Sequence, residues 1–105
     1  MPVQQIVNEL KNSLNQLLPA KINKIILYGS YARKEASTDS DIDVLVICNG
    51  MIDSQLRERI YEECYTINSK YDVWIDVSLL SENDLTTIRG KQPYIQNALC
   101  EGIVL

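Results

Sequence analysis

Histidine is missing from all 105 residues. That absence excludes Ser-His-Asp and Cys-His catalysis, histidine-ligated zinc and a histidine general base together. Any chemistry must therefore come from carboxylates, amines, hydroxyls or bound metal. Cysteine is scarce and odd in number: Cys48, Cys64 and Cys100 stand far apart, in apolar surroundings and without CxxC spacing. This fits neither a disulfide framework nor a zinc knuckle, and reads as small buried hydrophobes in a reducing cytoplasm. No apolar run approaches the roughly 20 residues of a membrane span. Met1 to Leu18 carries Gln, Asn, Glu and Lys throughout, unlike a signal peptide. A basic surplus is lacking too, since 10 Lys and Arg face 14 Asp and Glu for a net charge of −4. Proteins that grip a nucleic-acid backbone usually cluster positive charge. Here Lys21, Lys24, Arg33 and Lys34 are only local spots, while Arg57 and Arg59 alternate with Glu58, Glu62 and Glu63 as on a solvated helix face. The expectation is a cytoplasmic protein whose main partner is neither nucleic acid nor membrane.

What is present reads as one α/β domain over residues 1–105. A chain of this size supports one core and no second lobe. Val3, Ile6, Val7, Leu10, Leu14, Leu17 and Leu18 recur at helical spacing, and Pro19 stops the run. Ile22 to Tyr28 reads as a short buried strand, Tyr31 to Ala36 as a short helix and Ser37 to Ser40 as a polar turn. Ile42 to Cys48 is nearly all apolar, which predicts a strand covered on both faces. Asp53 or Ser54 caps a helix carrying Leu56, Ile60, Cys64 and Ile67 on one side. Val73 to Leu79 alternates cleanly, with Val73, Ile75, Val77 and Leu79 on one face and Trp74, Asp76 and Ser78 on the other. Ser81 to Asp84 resembles a capping box opening a short helix. Pro93 suits the first turn of a last helix and Gly102 its stop.

Three features coincide between Gly29 and Val46. Gly29-Ser30 sits between a strand and a helix, where glycine lets the backbone approach a phosphate and the helix start presents free N–H groups. By itself such a junction is more commonly an ordinary turn. Asp41 and Asp43 are two apart at the start of a strand, so both point into one volume. Two adjacent carboxylates repel unless a cation lies between them, and Mg²⁺ suits oxygen donors of this kind. Asp39 and Asp41 are equally good turn residues, but Asp43 is embedded in Ile42, Val44, Leu45 and Val46 and must be protonated, paired or metal-bound. Asp76, between Ile75 and Val77, repeats the oddity on another strand. If the two strands are neighbours, three carboxylates converge as two metals about 3.5–4 Å apart require. Asp72 is the competing acid, but its place at the strand's start suits a turn. Trp74 on the Asp76 face offers a surface for a nucleotide base or a partner, although a strand tryptophan is more commonly covered by a helix. Tyr61, Tyr65, Tyr71 and Tyr94 suit either a partner contact or a partly solvated helix face.

Gly29-Ser30, ten residues, then Asp41-x-Asp43 resembles the minimal nucleotidyltransferase family of the DNA polymerase beta superfamily. Ser40-Asp41-Ile42-Asp43 before apolar residues is the most specific part; Ala32-Arg33, Asp76 and Glu101-Gly102-Ile103-Val104-Leu105 extend the likeness over nearly the whole chain. The resemblance implies a nucleotidyltransferase fold: a small mixed sheet of about three strands packed with helices. It implies two Mg²⁺ ions on Asp41, Asp43 and Asp76, the last also taking the acceptor's proton, and a triphosphate of ATP held by Gly29 and Ser30, with Arg33 nearby. Lys34 departs from the glycine common after that arginine, leaving the geometry of the turn and the role of Arg33 open. The resemblance further implies an antitoxin that transfers AMP to a tyrosine of a HEPN-type ribonuclease toxin in a hetero-oligomer. Two other readings stand beside it: an inert module that silences its partner by occlusion, and a small-molecule nucleotidyltransferase with a separate helical subunit.

Overall fold

Helix α1, Val3–Leu17, obeys the expected spacing, and Ile6, Val7, Leu10 and Leu14 are fully buried along one stripe. These elements come from a computed structural model, which describes residues 3–29, 41–87 and 91–105. Strands β1, Ile22–Tyr28, and β2, Ile42–Cys48, have the bounds the apolar runs predict. Helix α2, Ser54–Tyr71, starts where Asp53 caps it: the Asp53 carboxylate accepts from the Leu56 N–H at 2.8 Å. Leu56, Ile60, Cys64 and Ile67 line its buried side as the sequence predicts. The remaining elements are β3, Ile75–Ser81, a 3-10 turn, Glu82–Thr86, helix α3, Pro93–Glu101, and β4, Ile103–Val104. The expected helix Tyr31 to Ala36, the turn Ser37 to Ser40 and the site candidates Ser30, Arg33 and Lys34 lie outside the described residues.

The sheet order is β3-β2-β1-β4. β1 runs antiparallel to both β2 and β4, while β2 and β3 are parallel. A parallel pair needs a crossover, and α2 supplies it between β2 and β3. Helices α1 and α2 cover one face, packing on Ile25, Leu27, Val44, Val46, Ile75 and Leu79. Helix α3 covers part of the other through Ile95 and Ala98, on Ile26, Leu45, Ile47 and Leu80. Strand β2 is thereby enclosed on both sides, which is why its seven residues read as an almost unbroken apolar run. Lys70 bridges to Glu9 at 2.6 Å, and the Tyr71 hydroxyl donates to the same carboxylate, tying α2 to α1.

Four expectations need correction. The sheet has a fourth strand, because the residues after Gly102 turn back along β1, with Leu27 opposite Ile103. β3 starts and ends two residues later than the alternation suggests, since Asp72 at φ 52° ends α2 and Val73 donates back to the Asn68 carbonyl. Ser81 does stand at an N-cap, but its side chain makes no capping bond and the turn is 3-10. Cys100 is exposed on the outer side of α3, whereas Cys48 and Cys64 are buried.

The cysteines provide a direct test of this packing. Burial pushes the Cys48 thiol up to about 11 and the Cys64 thiol up to about 12. A thiol reagent at pH 8 is expected to modify Cys100 quickly and the other two only as the protein unfolds. Because both folded pKa values exceed the ordinary 9.0, the stability they contribute is whole below pH 9 and falls as pH rises toward 11–12. Two or three fast-reacting thiols in the native protein would contradict the arrangement.

Candidate active site

The end of β1 meets the starts of β2 and β3, and the register there decides the site. Tyr28 pairs with Asp43, and Asp43 stands beside Asp76 in the parallel ladder. Neighbouring strands lie about 4.8 Å apart, so side chains at matched positions on one face are in reach of a common ligand. Asp43 and Asp76 share the α3 face with Leu45, Ile47 and Leu80, but α3 covers those apolar residues and leaves the acids at the open end. Asp43 is half-buried; Asp76 and Asp41, at the entrance to β2, are exposed. The structure therefore brings Asp43 and Asp76 together and sets Asp41 at their edge. Among the described residues no three acids or thiols stand close enough to enclose an ion by themselves.

Gly29 follows Tyr28 at φ +72°, in the left-handed region. A Cβ built there would meet the Asp43 Oδ2 at 2.1 Å. Glycine thus permits both the backbone turn and the close passage of the chain over the carboxylate. The resulting cradle, one acid under a bare backbone and a second beside it, fits a hard divalent cation with open positions for phosphate oxygens and water. Mg²⁺ matches that donor set.

The corner between α2 and β3 positions Asp76. Asn68, buried in the last turns of α2, accepts from the Ile75 N–H at 2.9 Å through its Oδ1. The Ile42 N–H donates to the Trp74 carbonyl at 2.9 Å, locking the starts of β2 and β3 side by side. Asp72 is the left-handed cap of α2, a turn residue as its sequence position suggests. Asn68→Leu should cost about 1–3 kcal/mol, because a buried N–H of Ile75 would lose its acceptor. Urea denaturation checks this, and unchanged stability would show that the corner is held by other means.

Trp74 corrects another expectation. No helix covers it: the residue is 55% exposed and lies against Tyr65 of α2, with ring centroids 6.5 Å apart. It precedes β3, where the chain has not yet entered the packed sheet. Of the four tyrosines considered, Tyr61 and Tyr71 pack against the core, while Tyr65 and Tyr94 are exposed. Sequence reasoning missed Tyr28. The available signal was its place as the last strand residue before Gly29, on the same side of β1 as Ile26. Its phenol lies 3.5 Å from the Ser78 hydroxyl. Burial raises the Tyr28 pKa above the usual tyrosine range; the Ser78 contact opposes this, and the charges of Asp43 and Asp76 and nearby Tyr94 reinforce it.

The polymerase beta, nucleotidyltransferase family matches residues 8–105 of the chain. A Methanocaldococcus jannaschii protein named a protein adenylyltransferase is 33% identical over 105 residues, covering 100% of this chain and 99% of its own length. A second protein of that organism, named likewise, is 32% identical over 75 residues, 71% of this chain and 76% of its own. Among solved structures, a toxin–antitoxin complex with AMP-PNP matches with a TM-score of 0.61 at 25% identity, over 95% of this chain and 69% of the other. A tri-AMPylated Shewanella oneidensis HEPN toxin in complex with MNT antitoxin matches with a TM-score of 0.57 at 25% identity, over 96% and 69%. No helix among the described residues is long and apolar enough to cross a membrane. Paired strand carboxylates under a left-handed glycine and a family match over nearly the whole chain lead to one conclusion: the chain belongs to the polymerase beta nucleotidyltransferases and is a nucleotidyltransferase.

Proposed function

We propose that this nucleotidyltransferase is an antitoxin that moves AMP from ATP onto a tyrosine of a HEPN-type toxin and thereby silences it. The observation that carries the chemistry is the adjacency of Asp43 and Asp76 on one open sheet face beside Gly29. The toxin partner rests on the likeness to antitoxin chains crystallised with HEPN toxin, and the protein acceptor on relatives named protein adenylyltransferases.

In this reading Asp41, Asp43 and Asp76 hold Mg²⁺, which when bound neutralises phosphate charge and lowers the pKa of the attacking hydroxyl. Gly29, Ser30 and Arg33 bind the nucleotide. Asp76, exposed at the edge of the pair, receives the acceptor's proton. The tyrosine oxygen bonds to the α-phosphorus, the bond to the bridging oxygen breaks, and pyrophosphate leaves with that electron pair. Positioning and electrostatics supply the rate, so a chain without histidine loses nothing by it.

The test is the intact mass of the protein encoded beside this chain after co-expression. One or more added AMP groups on a tyrosine, absent with Asp41→Ala/Asp43→Ala, supports the reading. A neighbour that is bound and inhibited without gaining mass would replace it with the occluding module. Label found on a small molecule instead would move the acceptor to that class.

A further inference from the structure

Two hydroxyls flank the paired acids. Tyr28 ends β1 and pairs with Asp43 on β2; Ser78 lies two residues past Asp76 on β3 and pairs with Leu45. Because β2 separates β1 from β3, the Tyr28 side chain must reach over β2 to bring its Oη within 3.5 Å of the Ser78 Oγ. The two hydroxyls thus bridge the full width of the site, on the face that carries both carboxylates.

Either oxygen can donate in this contact. Two hydroxyl hydrogens share one bond, so one donor remains for another partner. The charges of Asp43 and Asp76 act on Tyr28, and the lone pairs of both acids would be drawn toward a cation once one is bound. The spare O–H is then available to whatever oxygen lies above the pair.

We infer that Tyr28 and Ser78 form the seat of the acceptor hydroxyl, donating one hydrogen bond to the attacking oxygen and holding it on the Asp76 side. This rests on the transfer reaction proposed above. The donated bond occupies one lone pair of the acceptor oxygen and leaves another for the α-phosphorus. The acceptor proton passes to Asp76 and the electron pair leaves with pyrophosphate. Tyr28 and Ser78 keep their own protons throughout.

Tyr28→Phe keeps the ring and deletes only the hydroxyl, and Ser78→Ala deletes the other. Both variants, and the double, are assayed for AMP transfer to the purified protein encoded beside this chain, with Mg²⁺ and ATP. Each single leaves one hydroxyl whose O–H is still free to donate, so it should lower the transfer rate only about two- to threefold, through lost positioning. The double removes the last donor and should lower the rate about tenfold, the usual size of one hydrogen bond made in the transition state. The KM for ATP and the melting temperature should stay near wild type, which a purely structural contact would not allow alongside a lost rate. A wild-type rate in the double would overturn the inference, as would losses that appear equally in ATP affinity. If the unaltered chain binds ATP and transfers AMP to nothing, the proposed function fails and takes this inference with it. If it transfers and the variants match it, only the inference fails.

Discussion

Asp43→Asn should reduce nucleotidyl transfer by roughly a thousandfold and leave the fold standing. The loss is large because the carboxylate sits where phosphate charge must be met, and deleting even one preorganised electrostatic contact commonly costs about 10²–10³-fold. An amide of the same shape keeps the packing against β1 and β3 but carries no charge to hold a divalent cation. Asp43 and Asp76 are side by side in the ladder, and like charges directly opposite destabilise a sheet. With Mg²⁺ and ATP the wild type should gain stability by linkage and the variant should not. Thermal melts with and without ligand, run beside the transfer assay, read both effects. Near-wild-type transfer by Asp43→Asn would remove this residue from the proposed centre.

Gly29→Ala should be nearly as damaging to activity and should also destabilise the protein. Two penalties act at once. A non-glycine residue in the left-handed region costs about 1–2 kcal/mol, and Gly29 has φ +72°. In addition, the new Cβ would fall 2.1 Å from the Asp43 Oδ2, so the carboxylate or the turn must move. Gly50 separates the two effects. It has φ +76°, but a methyl group added there would meet no atom within 4 Å, so Gly50→Ala should carry the conformational penalty alone. Urea midpoints should fall for both variants, and transfer should collapse only for Gly29→Ala. Equal activity in the two would mean that the close approach of Gly29 to Asp43 does not matter to the reaction.

The elements were legible where neighbouring residues decide them. Apolar periodicity and Pro19 define α1, unbroken β-branched runs define β1 and β2, and Asp53 announces α2. The acid inside an apolar strand marked Asp43 for the same reason, since a carboxylate among Ile42, Val44 and Leu45 needs a purpose. The bounds of β3 were less clear, because its start depends on a side-chain bond from Asn68 that sequence spacing does not display. Strand β4 was missed because two residues carry no periodic signal; only pairing with β1 makes them a strand.

The sequence by itself determined the residue inventory of this protein: no histidine, Asp41 and Asp43 at one strand's start, Asp76 inside another strand, and Gly29 at the turn. Those follow from local composition and from backbone preferences acting over a few residues. Only the tertiary structure decided that Asp43 and Asp76 are neighbours, because strand register comes from the α2 crossover and its corner. It alone left Trp74 exposed, Cys100 outside the core, and the Tyr28 hydroxyl carried across β2 to Ser78. Each of these depends on which surfaces the helices cover, a property of the packed layers that no short window of sequence contains.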